Sequence, residues 1–129
     1  MENKPLLILL ADEADRLLFL EIFSGLRIKT IVETFKNGME LMQSLNKKDA
    51  LLPHLLFLDL NMPLKGGMQC LKEIRSSEKL KSISVTIYST SNNQKDMDES
   101  ISNGANTYIT KPSNFNTLKQ VLETAVNSI

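Results

Sequence analysis

Two kinds of segment alternate along this chain. Residues 5–11 and 53–58 are short, almost continuously apolar runs, the pattern of strands buried on both faces. Ile83, Val85 and Ile87 alternate with Ser84, Thr86 and Tyr88, which predicts a further strand. Residues 29–35 and 106–110 are shorter and more polar, as befits sheet edges. Between these runs the apolar period lengthens to that of a helix. Phe19, Ile22, Phe23 and Leu26 fall at i, i+3, i+4 and i+7, as do Gly67, Cys70, Leu71 and Ile74. Leu41, Met42 and Leu45 form a shorter stripe after Asn37-Gly38. Leu118, Val121, Leu122 and Ala125 form the last one, with Ser113 in place to cap it. Residues 92–103 carry only Met97 and Ile101 at helical spacing. That predicts a weakly anchored helix, closed by Gly104 in a left-handed conformation.

The order is β-α repeated five times. Such alternation implies a parallel sheet with helices on both faces, a doubly wound α/β domain. Ligands in such folds sit at the carboxyl ends of the strands. No linker, low-complexity stretch or longer repeat interrupts the 129 residues, so one domain over residues 1–129 is expected. That length allows a core without metals or disulfides. The 42% apolar and 23% charged content argue against global disorder. Fifteen basic and 15 acidic side chains cancel, which removes the electrostatic footprint of nonspecific nucleic-acid binding. Cys70 is alone and cannot form an internal disulfide. The longest apolar run, residues 6–11, is too short to span a bilayer, and Asp12-Glu13-Ala14-Asp15 after it is no signal-peptide cleavage site. A soluble cytoplasmic protein with neither membrane nor nucleic-acid partners is expected.

The chemistry collects at the carboxyl ends of the strands. The first run ends in Asp12 and Glu13, with Asp15 close behind; the third in Asp59; the fourth in Ser89 and Thr90; the fifth in Lys111. A nucleotide-binding loop after the first strand would want glycines and free backbone N–H groups facing phosphate. Carboxylates there repel phosphate, and repel each other unless a proton or cation joins them. Two or three carboxylates plus water suit Mg²⁺, a hard octahedral ion. The same acids also suit the start of a helix, where they meet the positive end of its dipole. Asp59 closes a buried apolar strand, so its carboxylate belongs at the rim. His54 opens that strand at the opposite end and reads as structural, and Cys70 reads as core filling.

Asp59-Leu60-Asn61-Met62-Pro63, followed by Gly67, resembles the phosphoacceptor turn of response-regulator receiver domains of two-component systems. The acids after the first strand, Ser89, Lys111-Pro112, Asn103-Gly104-Ala105 and Tyr108 resemble that family too. The intervals of 30 residues from Asp59 to Ser89 and 22 from Ser89 to Lys111 agree with it. The resemblance covers essentially the whole chain. It implies a flavodoxin-like (β/α)5 fold with strand order 2-1-3-4-5. It also implies that a histidine kinase or phosphotransfer protein phosphorylates Asp59. Mg²⁺ would be held by Asp12, Glu13, Asp59 and the backbone carbonyl of Asn61, with Ser89 and Lys111 contacting phosphoryl oxygens. A Ser89–Tyr108 switch would act on a monomer or a phosphorylation-dependent dimer, and Lys111-Pro112 would often be cis. The acidic pair departs from the family's usual two aspartates, with Glu13 second, and the turn to the first helix is a residue or two short. Which of Asp12, Glu13 and Asp15 reaches the metal is left open.

The implied activity is that of a stand-alone phosphoacceptor switch with at most self-catalysed phosphorylation and dephosphorylation, not of a metabolic enzyme. Two alternatives differ in class. One is a phosphorylation-independent interaction module on the same fold. The other is an Asp-nucleophile phosphatase, which wants a second acid where this chain has Asn61, and a cap domain for which 129 residues leave no room.

Overall fold

The computed structural model describes residues 6–10 and 13–127. The elements run β1 (Leu6–Leu10), a 3₁₀ turn (Glu13–Asp15), α1 (Arg16–Ser24), β2 (Thr30–Thr34), α2 (Gly38–Leu45), β3 (Leu55–Leu58), α3 (Gly67–Ser76), β4 (Val85–Ser89), α4 (Gln94–Ser102), β5 (Thr107–Thr110) and α5 (Phe115–Asn127). All pairings are parallel, and the five strands lie in the order β2-β1-β3-β4-β5. The doubly wound sheet expected from the sequence is the one observed. Its order reverses at β1, so the carboxyl ends of β1 and β3 open onto the switch-point crevice.

Two apolar cores flank the sheet. One joins Leu9, Leu56, Leu58, Val85 and Ile87 to α2 and α3 through Leu41, Leu45, Leu71 and Ile74. The other joins Ile8, Leu55, Phe57 and Tyr88 to α1 and α5 through Phe19, Ile22 and Leu122. Phe19 is its hub, meeting Phe57 and Tyr88 edge-on at centroid distances of 5.1 and 5.3 Å. The alternation in residues 83–88 points to one buried face, yet every residue of β4 is buried. Helices cover both sides of this interior strand, so Thr86 and Tyr88 are as enclosed as Val85. Cys70 is fully buried and its Sγ faces the Gly38 carbonyl at 3.8 Å, as core filling requires. His54 Nδ1 accepts the Leu7 backbone N–H at 2.9 Å, which gives the ring a structural partner at the amino end of the sheet.

Three local expectations differ. The cap of α5 is Asn114, not Ser113: its Oδ1 accepts from the backbone N–H groups of Asn116 and Thr117 at 2.8 and 3.2 Å. Ile101 does not anchor α4. It is 50% exposed, and the buried residue of that helix is Ser100, whose hydroxyl donates to the Asp96 carbonyl at 2.7 Å. No cis peptide bond occurs among the described residues, so Lys111-Pro112 is trans. Gly104 does take the left-handed backbone, at φ 104°.

Candidate functional site

Two strand ends and the start of α1 converge in one crevice. β3 delivers Asp59 one residue past its last paired position, and β5 delivers Lys111, whose backbone N–H extends the ladder by donating to the Ser89 carbonyl at 2.7 Å. The Lys111 ammonium then lies 3.0 Å from Asp59 Oδ2 and 3.0 Å from Asp15 Oδ2. All three side chains are largely withdrawn from solvent, with exposures of 17% for Lys111, 11% for Asp59 and 22% for Asp15. Burial alone would lower the lysine's pKa, but the hydrogen bonds and charges of Asp15 and Asp59 outweigh it. The ammonium is held well above its ordinary range. The same ammonium sits 5.1 Å from the centre of the Tyr88 ring.

Asp59 is fixed on its other oxygen, where Oδ1 accepts the Asn61 backbone N–H at 2.9 Å. The turn beyond it is held by close backbone approach. A Cβ on Gly67 would lie 2.1 Å from the Asp59 carbonyl oxygen, and Gly67 N–H donates to the Leu60 carbonyl at 3.2 Å.

Asp15 occupies the N-cap position of α1 but makes no cap hydrogen bond; its carboxylate goes to Lys111 instead. Of the three acids after β1 it is the one whose side chain is described at the crevice. Asp12 and the side chain of Glu13 lie outside the described residues. Ser89 is fully buried at the end of β4, and its Oγ accepts the Ser91 backbone N–H at 3.3 Å. Its hydroxyl is thus engaged with the β4–α4 loop. Tyr108 is half-buried and donates its hydroxyl to the Ser91 carbonyl at 2.8 Å, which ties β5 to the same loop. No group of three or more His, Cys, Asp or Glu side chains poised around one metal position occurs among the described residues. The described side-chain donors at the crevice are nonetheless hard oxygens, the carboxylates of Asp15 and Asp59. That donor set fits Mg²⁺ and no soft metal.

Residues 8–123 match the family model described as the response regulator receiver domain. Response regulator Rcp1 of Synechocystis is 32% identical over 127 residues, which cover 94% of this chain and 86% of that protein. A probable methanogenesis regulatory protein, FilR2 of Methanothrix harundinacea, is 31% identical over 92% of this chain and 80% of its own. Among solved structures, the phosphorylated cyanobacterial phytochrome response regulator RcpA superposes with a TM-score of 0.85 at 35% identity, covering 95% of this chain and 91% of that one. The Mn²⁺-bound form of Rcp1 superposes with a TM-score of 0.84 at 31% identity, covering 93% and 91%.

Proposed function

The chain belongs to the response-regulator receiver family of two-component systems, and from that premise we propose that it is a phosphorylation switch whose acceptor is Asp59. The observation that carries the reading is the single ammonium of Lys111 shared at 3.0 Å by Asp15 and Asp59, at the carboxyl rim of the parallel sheet. A carboxylate that is to attack an anionic phosphoryl group needs cations beside it, and a permanently charged lysine at that distance supplies one.

In the transfer, one oxygen of Asp59 attacks phosphorus. The bond from phosphorus to the imidazole nitrogen of a phosphohistidine breaks, and the electron pair leaves with the imidazole. The Asn61 N–H holds the other carboxylate oxygen and orients the attack. Lys111 exchanges its contact with Asp59 for one with a phosphoryl oxygen, while Asp15 keeps it aimed into the crevice. Mg²⁺, when bound, neutralises charge on the phosphoryl oxygens. Asp59, the Asn61 carbonyl and one or two of the acids after β1, among Asp12, Glu13 and Asp15, would hold it. The partner is a histidine kinase or phosphotransfer protein. The readout is a change at Ser89 and Tyr108, whose hydroxyls both bond to the backbone of Ser91.

The test is intact-mass analysis after treatment with phosphoramidate, with Mg²⁺ or with excess chelator. One phosphoryl group should appear, map to Asp59, need Mg²⁺ and vanish in Asp59→Asn. A modification that survives in that variant would overturn the assignment.

A further inference from the structure

The turn that follows Asp59 is closed by the Gly67–Leu60 hydrogen bond, and Leu64 lies between its ends. The Lys65 N–H donates back to the Pro63 carbonyl at 2.7 Å, and Leu64 between them has φ 67°. An i→i+2 hydrogen bond around a residue of positive φ is the rarer, strained form of γ-turn. Leu64 is the one non-glycine residue with positive φ among those described. Glycine or asparagine takes this backbone at little cost, whereas a bulky side chain does not. Leu64 nevertheless leaves 79% of its surface in water.

The next residue, Lys65, ties this turn to its surroundings. Lys65 Nζ is bonded to both oxygens of Glu73 at 2.9 and 2.8 Å, and the Lys65 carbonyl lies so near Gly38 that a Cβ there would stand 2.0 Å from it. The strain is therefore imposed by a packed frame and serves no packing of its own. A lone exposed leucine needs no explanation. A leucine both exposed and held in a strained backbone does, because two separate costs fall on one side chain.

The position names the occupant. Asp59 is only 11% exposed, so any protein that carries a phosphoryl group to it must come down on the rim that this turn helps to form. We infer that Leu64 is a specificity-determining contact for that donor: an apolar knob that seats against the surface bearing the phosphohistidine. Small phosphodonors, which enter the crevice without covering the rim, do not use it. The inference rests on Asp59 being the acceptor.

Wild type, Leu64→Asn and Leu64→Met are compared with two kinds of donor: phosphoramidate, and the phosphorylated histidine kinase cores and phosphotransfer proteins of the source organism. Phosphoramidate should modify all three equally. Transfer from the protein donor that serves the wild type should fall about ten- to a hundredfold in Leu64→Asn, the worth of one buried leucine, and stay near wild type in Leu64→Met. Leu64→Asn should also melt about 2–4 °C higher, because asparagine relieves the turn. Equal transfer from the protein donor to Leu64→Asn, a lower melting temperature for it, or a wild type that no kinase or phosphotransfer protein phosphorylates would each overturn the inference. Failure of phosphoramidate to modify wild-type Asp59 would instead overturn the reading of the site, and the inference with it.

Discussion

Lys111 faces two carboxylates with one ammonium, and that imbalance sets what its removal does. Lys111→Met keeps the apolar stem beside Tyr88 and leaves Asp15 and Asp59 facing each other. It should cost about 1–3 kcal/mol in urea unfolding, and the loss should shrink when Asp15→Asn is added, because one of the two charges has gone. The lysine pKa is raised by folding, so its contribution is complete below the unfolded lysine's range and is lost only at strongly alkaline pH. Cys70 acts on the same side. Burial pushes its thiol from 9.0 up to about 11, so between those values the unfolded chain has lost a proton that the folded chain retains. Stability then falls with rising pH, by about 1.4 kcal/mol for each unit in which only the unfolded thiol is ionised. Denaturation followed from pH 8 to 11 should show this slope, and Cys70→Ala should flatten it below the range where lysines titrate. At this scale the sequence discloses Asp59, because it ends a strand whose apolar pattern is unambiguous, and discloses Lys111 only through its spacing from Ser89, because the strand before it is short and polar. It leaves Asp15 among three acids, because a run of carboxylates entering a helix does not encode which one gives up its cap for a lysine 96 residues away.

Helix α4 shows what a pattern of apolar residues cannot encode. Its sparse stripe does make it the least anchored helix, yet the groups that hold its ends are polar. No apolar pattern marks Arg75, in the last turn of α3. In the fold its Nε donates to the Gly104 carbonyl at 2.8 Å, Nη1 to the Lys81 and Ile83 carbonyls at 2.9 and 2.8 Å, and Nη2 to Asn106 Oδ1 at 2.9 Å. One planar fork thus pins the carboxyl end of α4 to α3 and to the start of β5. The amino end hangs on Ser91, whose hydroxyl donates to Asp96 at 2.6 Å and whose backbone meets Ser89 and Tyr108. A helix pinned at one end and latched at the other should pivot when the latch changes. Arg75→Lys cannot reproduce the fork and should cost about 1–3 kcal/mol. With beryllofluoride as the phosphoryl mimic, amide exchange should change across residues 90–97 and stay constant across residues 102–106. In Arg75→Lys the change should spread to both ends. Uniform exchange along α4 in the wild type would remove the pivot.

The whole molecule joins a neutral chain to a locally negative rim. Fifteen acids balance 15 bases overall, but the crevice sets Asp15 and Asp59 against Lys111, with Asp12 and Glu13 adjacent in sequence. The alternation of strands and helices makes this legible: a parallel sheet can only gather what stands at its carboxyl ends, and the apolar runs mark those ends in the sequence. The burial of β4 on both faces was not legible, because Thr86 and Tyr88 look solvent-facing until helices on both sides enclose them. A folded state that gathers carboxylates carries their repulsion, and a divalent cation that binds them there and not in the unfolded chain must stabilise it. Mg²⁺ at a hundred times its dissociation constant should add about 2.7 kcal/mol, a rise of several degrees in melting temperature, beyond any effect of NaCl at matched ionic strength. Asp59→Asn should melt higher than the wild type without Mg²⁺, since it relieves the repulsion, and should lose most of the metal-dependent rise. Asp15→Asn separates two arrangements of the rim. If Asp15 serves only to aim Lys111, the rise should persist in that variant; if it turns to the metal, the rise should shrink as it does for Asp59. A wild type whose melting curve is the same in Mg²⁺ and in NaCl would leave the negative rim without the cation that its carboxylates call for.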